Sequence, residues 1–101
     1  MSIALATSRI GTYTSEIDRL TGEIADMQSE QIDVEVEKVE AGDDKDKKKV
    51  VAKKSKDIRK RLALATAQQG VLKEFVDFWK NYITQFLSMI KSLQELSQGA
   101  R

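Results

Sequence analysis

The chain of 101 residues contains no cysteine, no histidine and no proline. Without cysteine or histidine it has no thiol nucleophile, no disulfide, no imidazole base and no Cys or His ligand for zinc or haem, so these classes of chemistry are excluded. Because proline interrupts helices, its absence favours long helices. We therefore expect an all-α protein that is not an enzyme and has no metal site and no cofactor.

The sequence also lacks a long apolar run. Its most apolar stretch, residues 71–93, contains five charged side chains, so we expect no transmembrane segment. Residues 1–9 have neither the basic region nor the apolar core of a signal peptide. We expect the protein to be cytoplasmic, or to be exported without a cleaved signal peptide.

The net charge of +1 conceals two halves of opposite charge. Residues 1–46 hold four basic and twelve acidic side chains, a net charge of −8, whereas residues 47–101 hold thirteen basic and four acidic ones, a net charge of +9. Such asymmetry can indicate a nucleic-acid-binding arm. The simpler interpretation is that the two halves fold against each other and neutralise one another.

The first segment carries a repeat of seven residues. Apolar residues recur at heptad positions a and d from Ile3 to Val34, which is the pattern of a coiled coil. The a positions are Ile3, Ile10, Ile17, Ile24 and Gln31, and the d positions are Ala6, Tyr13, Leu20, Met27 and Val34. Nine of these ten residues are apolar, so the pattern predicts a helix that packs against another helix.

The middle of the chain permits two interpretations. Residues 32–37 alternate with period two and are rich in β-branched side chains, which is typical of a strand, and residues 49–52 could pair with them as a β-hairpin. Alternatively both helices continue and only about residues 41–48 form a loop. Two helices of matching length favour the continuous form.

The second segment gives the strongest structural prediction. Twelve positions follow alternating steps of four and three: Ile58, Leu62, Ala65, Gln69, Leu72, Val76, Trp79, Ile83, Phe86, Ile90, Leu93 and Ser97. A further line at seven-residue intervals widens this apolar stripe: Phe75, Tyr82, Met89 and Leu96. A stripe this wide typically faces more than one neighbouring helix.

Five of the six aromatic residues lie in residues 75–86. Trp79 and Phe86 fall on the main stripe, whereas Phe78 falls outside it, where a monomer would expose it. Aromatic side chains concentrate in protein interfaces. We therefore expect a contact with another chain, whose residues would be Phe75, Phe78, Trp79, Tyr82, Phe86 and Met89.

Residues 45–61 contain ten basic side chains, among them Lys47, Lys48, Lys49, Lys53 and Lys54. Phosphate backbones attract such clusters, but this run has no interleaved aromatic side chain for base stacking. The acidic residues 30–40 would lie beside it in a hairpin. We therefore expect a solvated charged tip and do not expect nucleic acid to be the partner.

These patterns predict a single domain, residues 1–101, folded as an antiparallel two-helix coiled-coil hairpin. Helix one is expected at about residues 2–40, a charged tip at about 41–55 and helix two at about 56–98. With the turn near residue 46, facing residue numbers should sum to about 94–98, which pairs Tyr13 with Ile83. Glu37 and Glu40 should lie near Lys54 and Lys56.

Two helices cannot bury so wide a stripe, so we expect the hairpin to complete a helical bundle or filament, either with copies of itself or with another helical protein. In size and outline the chain resembles components of bacterial specialised secretion systems, namely needle, rod and filament subunits, their small chaperones and the secreted Trp-x-Gly family. It departs from the first in having no proline and from the last because Lys80 and Asn81 follow Trp79. The resemblance implies a filament-like or needle-like subunit, or a chaperone for a secreted client. A third alternative is a binder of nucleic acid or anionic surfaces through the basic tip.

Overall fold

The computed structural model describes residues 2–99 as two helices, α1 (Ile3–Ala41) and α2 (Lys45–Gly99). They pack antiparallel along a rod of 86 × 17 × 15 Å, and no strand occurs within residues 2–99. The predicted all-α hairpin is confirmed. The outermost residues of the predicted domain, Met1, Ala100 and Arg101, lie outside the described part of the chain.

Local hydrogen bonds define the ends of the helices. The Ser2 hydroxyl accepts from the Leu5 N–H (3.1 Å) and begins α1, as expected for an N-cap serine. Gly42 adopts φ 53° and ψ −120°, which is the first central position of a type II′ turn and favours glycine. The Asp44 N–H donates to the Ala41 carbonyl across this turn (3.0 Å). The Asp44 carboxylate then accepts from the N–H groups of Asp46 (3.1 Å) and Lys47 (3.2 Å) and caps α2.

The predicted start of helix two near residue 56 is wrong, because α2 begins at Lys45. Residues 45–55 of the predicted charged tip are therefore helical, and Gly42–Asp44 alone form the connection. The β-hairpin alternative is wrong as well. Val34, in the strand-like stretch, packs with Val51 and Ile58 between the two helices, and this burial stabilises helix in both segments despite their β-branched residues.

The core is one row of side chains between the helices. The heptad positions predicted for α1 supply its buried residues, and Ala41 continues the row. A central cluster of Leu20, Met27 and Ala65 is flanked by half-buried side chains of both helices. The buried core residues are Ala6, Leu20, Met27, Val34, Ala41, Val51, Ile58, Ala65 and Val76.

A polar side chain of α2 also lies within this row. The Gln69 amide donates to the Ile17 carbonyl (3.2 Å) and to the Thr21 hydroxyl across the hairpin. Within residues 2–99, no buried side-chain nitrogen or oxygen is without a hydrogen-bond partner. The amide therefore fixes the alignment of the helices without leaving a buried polar group unsatisfied.

The helices are aligned about one heptad away from the predicted register. Tyr13 lies against Phe75, with ring centroids 5.6 Å apart, rather than against Ile83. Facing residue numbers sum to about 89, as Glu37–Lys54 and Glu30–Arg61 also show. The turn at Gly42–Asp44, earlier than the predicted residue 46, causes this shift, and a whole-heptad shift keeps the same faces in contact.

This register leaves the end of α2 without a partner in the hairpin. Ile3, the first residue of α1, lies at the level of residue 86, so residues 87–99 extend beyond α1 by about 20 Å at ~1.5 Å per residue. We call residues 87–99 the overhang. Four of its five apolar side chains, Leu87, Met89, Leu93 and Leu96, are each more than half exposed, and the fifth, Ile90, is half-buried.

Candidate functional site

The predicted aromatic interface residues form a connected row on α2. The Phe78 and Trp79 rings meet edge to face with centroids 5.3 Å apart, and Trp79 meets Tyr82 in the same way at 5.8 Å. Tyr82 in turn stacks on Phe86 at 6.2 Å with an interplanar angle of 18°. These contacts join the aromatic side chains in one row along α2.

The predicted interface residues divide between two faces of α2. Trp79 and Phe86 are half-buried and belong to the row that packs on α1. Phe75, Phe78 and Met89 are 46%, 62% and 53% exposed and lie beside that row. The predicted contact surface is thus two adjoining surfaces, and α1 covers one of them.

The uncovered surface is longer than the sequence analysis indicated. Leu64 and Val71 lie two heptads and one heptad before Phe78 and are 61% and 48% exposed. The heptad spacing of Leu64, Val71 and Phe78 was the signal that would have identified them. We define the second seam as the ten positions that follow alternating steps of four and three along this face: Leu64, Gln68, Val71, Phe75, Phe78, Tyr82, Gln85, Met89, Ser92 and Leu96.

α1 has a smaller exposed apolar patch elsewhere. Ile32, Val36 and Val39 are 66%, 52% and 81% exposed. Their spacing of four and three residues places them on the side of α1 that faces away from α2. This patch spans two turns and has no aromatic side chain, so it is the weaker candidate for a contact.

The predicted tip lysines do not form one surface. Lys54 pairs with Glu37 (3.0 Å), and Lys48 lies 3.9 Å from Asp43. Lys47 lines a groove with the carboxylates Glu37, Glu40 and Asp46. Lys49 and Lys53 are exposed. Because these side chains are distributed around α2, they have different surroundings and do not act as one basic surface.

A basic groove on one flank of the tip gathers a different set of cations. Lys38, Lys48, Lys56 and Arg59 line it, with Glu35 as its one carboxylate, over an apolar floor that includes Val34 and Val51. Its volume is about 740 Å³. Lys56 therefore lies on this flank and not beside Glu40, which corrects that predicted pairing, whereas the Glu37–Lys54 pair is confirmed.

On the opposite flank of the tip, ion pairs join α1 and α2. Arg61 lies 3.4 Å from Glu30, in the same relation as Lys54 to Glu37. Farther along α1, Arg19 donates to Glu16 and Glu23. The hydrogen bond from Arg19 lowers the pKa of the Glu16 carboxyl, and the charge of Arg19 adds to that effect. All of these groups are about half exposed, so each pair contributes little to stability. The Lys54–Glu37 and Arg61–Glu30 pairs join the two helices and mainly align them, whereas the Arg19 pairs lie within α1.

No group of three or more potential metal ligands occurs in the described residues, and none of the helical residues 3–41 and 45–99 makes a span apolar and long enough to cross a membrane. The chain matches no family model, and no curated protein or solved structure is significantly similar to it. The exposed apolar second seam and the basic groove are therefore the two candidate functional surfaces.

Proposed function

We propose that this protein is a non-enzymatic structural protein that assembles with copies of itself through the second seam of α2. The observation that carries this proposal is the row of exposed apolar and aromatic side chains from Leu64 to Leu96, beside a face that α1 already covers. Exposed apolar surfaces of this extent are typical of interaction sites. The absence of cysteine and histidine from the sequence supports the non-enzymatic part of the proposal.

The total surface of the chain supports association. Its accessible surface is 7763 Å², whereas a compact monomer of 11.4 kDa would expose about 5,800 Å². The excess of about 2,000 Å² exceeds the ~800 Å² that each partner buries in an interface of standard size. A second chain can therefore cover the second seam and still leave the charged surfaces in water.

The row of aromatics supports the same site. Large aromatic side chains at the centre of an interface contribute most of its binding energy. Phe78 is at the middle of the second seam, is 62% exposed and is held by its edge contact with Trp79. A preformed aromatic side chain loses little conformational entropy when a partner covers it.

Size-exclusion chromatography with light scattering tests the proposal. The unchanged chain should exceed 11.4 kDa as its concentration rises. Phe78→Ser should weaken association by about 30-fold or more, the effect of losing an interface hot spot. The control is Val39→Ser, a more exposed apolar site (81% against 62% for Phe78) on the far side of α1, which should associate like the unchanged chain. Equal association of all three proteins, at equal helix content, would remove the second seam from the interface.

A second candidate function rests on the basic groove. Four cations against one carboxylate could hold an anionic partner, as the third alternative of the sequence analysis predicts. Binding of a short labelled DNA duplex should then fall steeply between low and moderate salt and should be lost in Lys56→Glu. Association through the second seam should instead persist or strengthen with salt. The secretion-system and chaperone expectations stay predictions.

A further inference from the structure

The second seam has the spacing of a continuous helix–helix contact. Its positions advance by four and three residues in turn over residues 64–96, a length of about 48 Å at ~1.5 Å per residue. Seven positions are apolar, and the three polar ones are Gln68, Gln85 and Ser92. A surface this long and straight fits another long helix better than it fits a small ligand or a loop.

We propose that the second seam packs antiparallel on the second seam of another copy, with facing residue numbers that sum to 160. This inference rests on the proposed self-assembly and names its geometry. In this register Leu64 faces Leu96 of the second copy. Proceeding inward, Gln68 faces Ser92, Val71 faces Met89, Phe75 faces Gln85, and Phe78 faces Tyr82. Gln68 and Ser92 can thus hydrogen-bond to each other inside the contact.

This register covers the second seam from end to end. Moving one copy by a heptad in one direction places Leu96 opposite Asp57, which exposes a leucine to a carboxylate. Moving it by a heptad in the other direction leaves Leu64 opposite no position of the second seam. Because burial of apolar surface drives association, the register that covers both end leucines is the most stable one.

The arrangement also gives the overhang a partner. In the proposed register residues 87–99 face residues 61–73 of the second copy. The overhang is the part of α2 that α1 leaves uncovered, and its two apolar positions on the second seam, Met89 and Leu96, are 53% and 70% exposed. The same contact therefore covers the second seam and supports the helix end that has no support within the hairpin.

Charge favours the antiparallel direction. Lys47, Lys54 and Arg61 continue the line of Gln68 and Phe75 toward the tip at seven-residue intervals. Within the hairpin Lys54 and Arg61 pair with Glu37 and Glu30 at the exposed surface. In a parallel pair each of the three cations would also face its own copy, and like charges in contact are destabilising. In the antiparallel pair Arg61 faces Gly99, and the basic tip projects beyond the partner.

Antiparallel pairing of one face with itself is a two-fold contact. Such a contact closes on itself and generates a dimer rather than an open filament. The two-fold axis crosses α2 at the level of Lys80, and the four helices form a bundle with a tip at each end. The dimer should be about 110 Å long at ~1.5 Å per residue, whereas a parallel dimer would keep the 86 Å length of one hairpin.

Engineered disulfides test this geometry, because the natural chain has no cysteine to interfere. Leu64→Cys and Leu96→Cys are prepared separately, since both side chains are exposed in the hairpin and should leave it folded. Each variant is oxidised alone and after mixing. The mixture should give a disulfide dimer in at least tenfold excess over either variant alone, because residues 64 and 96 meet only between copies.

The other outcomes separate the two proposals. Cross-linking of each variant with itself would show a parallel contact and overturn the antiparallel inference, while self-assembly would stand. Stronger cross-linking of Leu64→Cys with Met89→Cys than with Leu96→Cys would overturn the register. If none of the mixtures cross-links and light scattering finds a monomer, both proposals fail. Small-angle scattering of the unchanged chain should independently give the length of about 110 Å rather than 86 Å.

Discussion

Two leucine-to-alanine substitutions distinguish the contact within the hairpin from the contact between chains. Leu20 is 2% exposed and packs with Met27 and Ala65, whereas Leu64 is 61% exposed on the second seam. The same three carbon atoms are removed at both sites. A difference in the measured free energy of unfolding therefore reports the burial of each side chain.

At Leu20 the expected cost has two parts. The lost transfer of a buried leucine is about 1.5–3 kcal/mol, and a remaining cavity raises Leu→Ala costs to roughly 3–5 kcal/mol in enclosed cores. The hairpin is two helices thick, 17 × 15 Å in cross-section, so neighbouring side chains can close the space from the sides. We expect Leu20→Ala to lower the free energy of unfolding by about 2–3 kcal/mol.

At Leu64 the cost should depend on protein concentration. In a monomer the exposed side chain makes few contacts, so Leu64→Ala should change stability by less than about 0.5 kcal/mol. When chains associate, this side chain becomes buried, and the variant should lose a further ~1–2 kcal/mol relative to the unchanged protein. Leu20→Ala should cost the same at both concentrations.

Urea unfolding followed by far-ultraviolet circular dichroism measures the cost of each substitution. Measured at a low and a high protein concentration, it gives two values for Leu20→Ala and two for Leu64→Ala. Equal costs for Leu20→Ala and Leu64→Ala at low concentration would refute the described core. A cost for Leu64→Ala that stays below about 0.5 kcal/mol at high concentration would refute the burial of the second seam by another chain.

The remaining predictions concern the turn and the ion pairs. Gly42→Ala should destabilise the hairpin by about 1–2 kcal/mol in urea unfolding, because Gly42 has φ 53° although a Cβ atom there would meet nothing within 4 Å; a cost below 0.5 kcal/mol would contradict the described turn. Asp44→Ala should cost about 1 kcal/mol by removing the cap of α2, whereas the neighbouring control Asp43→Ala should be close to neutral. A double-mutant cycle on Glu37 and Lys54 should give a coupling of about 0.2–1 kcal/mol that falls with added salt, and a salt-independent value would indicate a buried pair instead.

The repeat of the first segment predicted the fold because the apolar a and d residues of the heptads in α1 pack against α2. Leu20, Met27 and Val34 are buried where the repeat places them. The register was mispredicted by one heptad because heptads are equivalent, so the pattern alone fixes the faces in contact but not their alignment along the axis. The turn chemistry of Gly42 and Asp44 sets that alignment, and it depends on only three residues.

The candidate site was predicted in part. Phe75, Phe78 and Met89 were expected at an interface and are exposed beside the covered face. Leu64 and Val71 were missed because they are aliphatic and precede the aromatic cluster, although the heptad line of Phe78 continues through both of them. The tip lysines could not be assigned to one surface from the sequence, because lysines that are consecutive in sequence point in different directions around a helix. The cations that share the basic groove, among them Lys38 and Arg59, come from both helices.

The most direct test of the account is sedimentation equilibrium of the unmodified chain at several concentrations. Burial of the second seam by a second copy predicts a reversible shift from 11.4 kDa toward twice that mass, about 22.8 kDa, with no larger species. A mass of 11.4 kDa at every concentration, with the hairpin folded, would contradict the account.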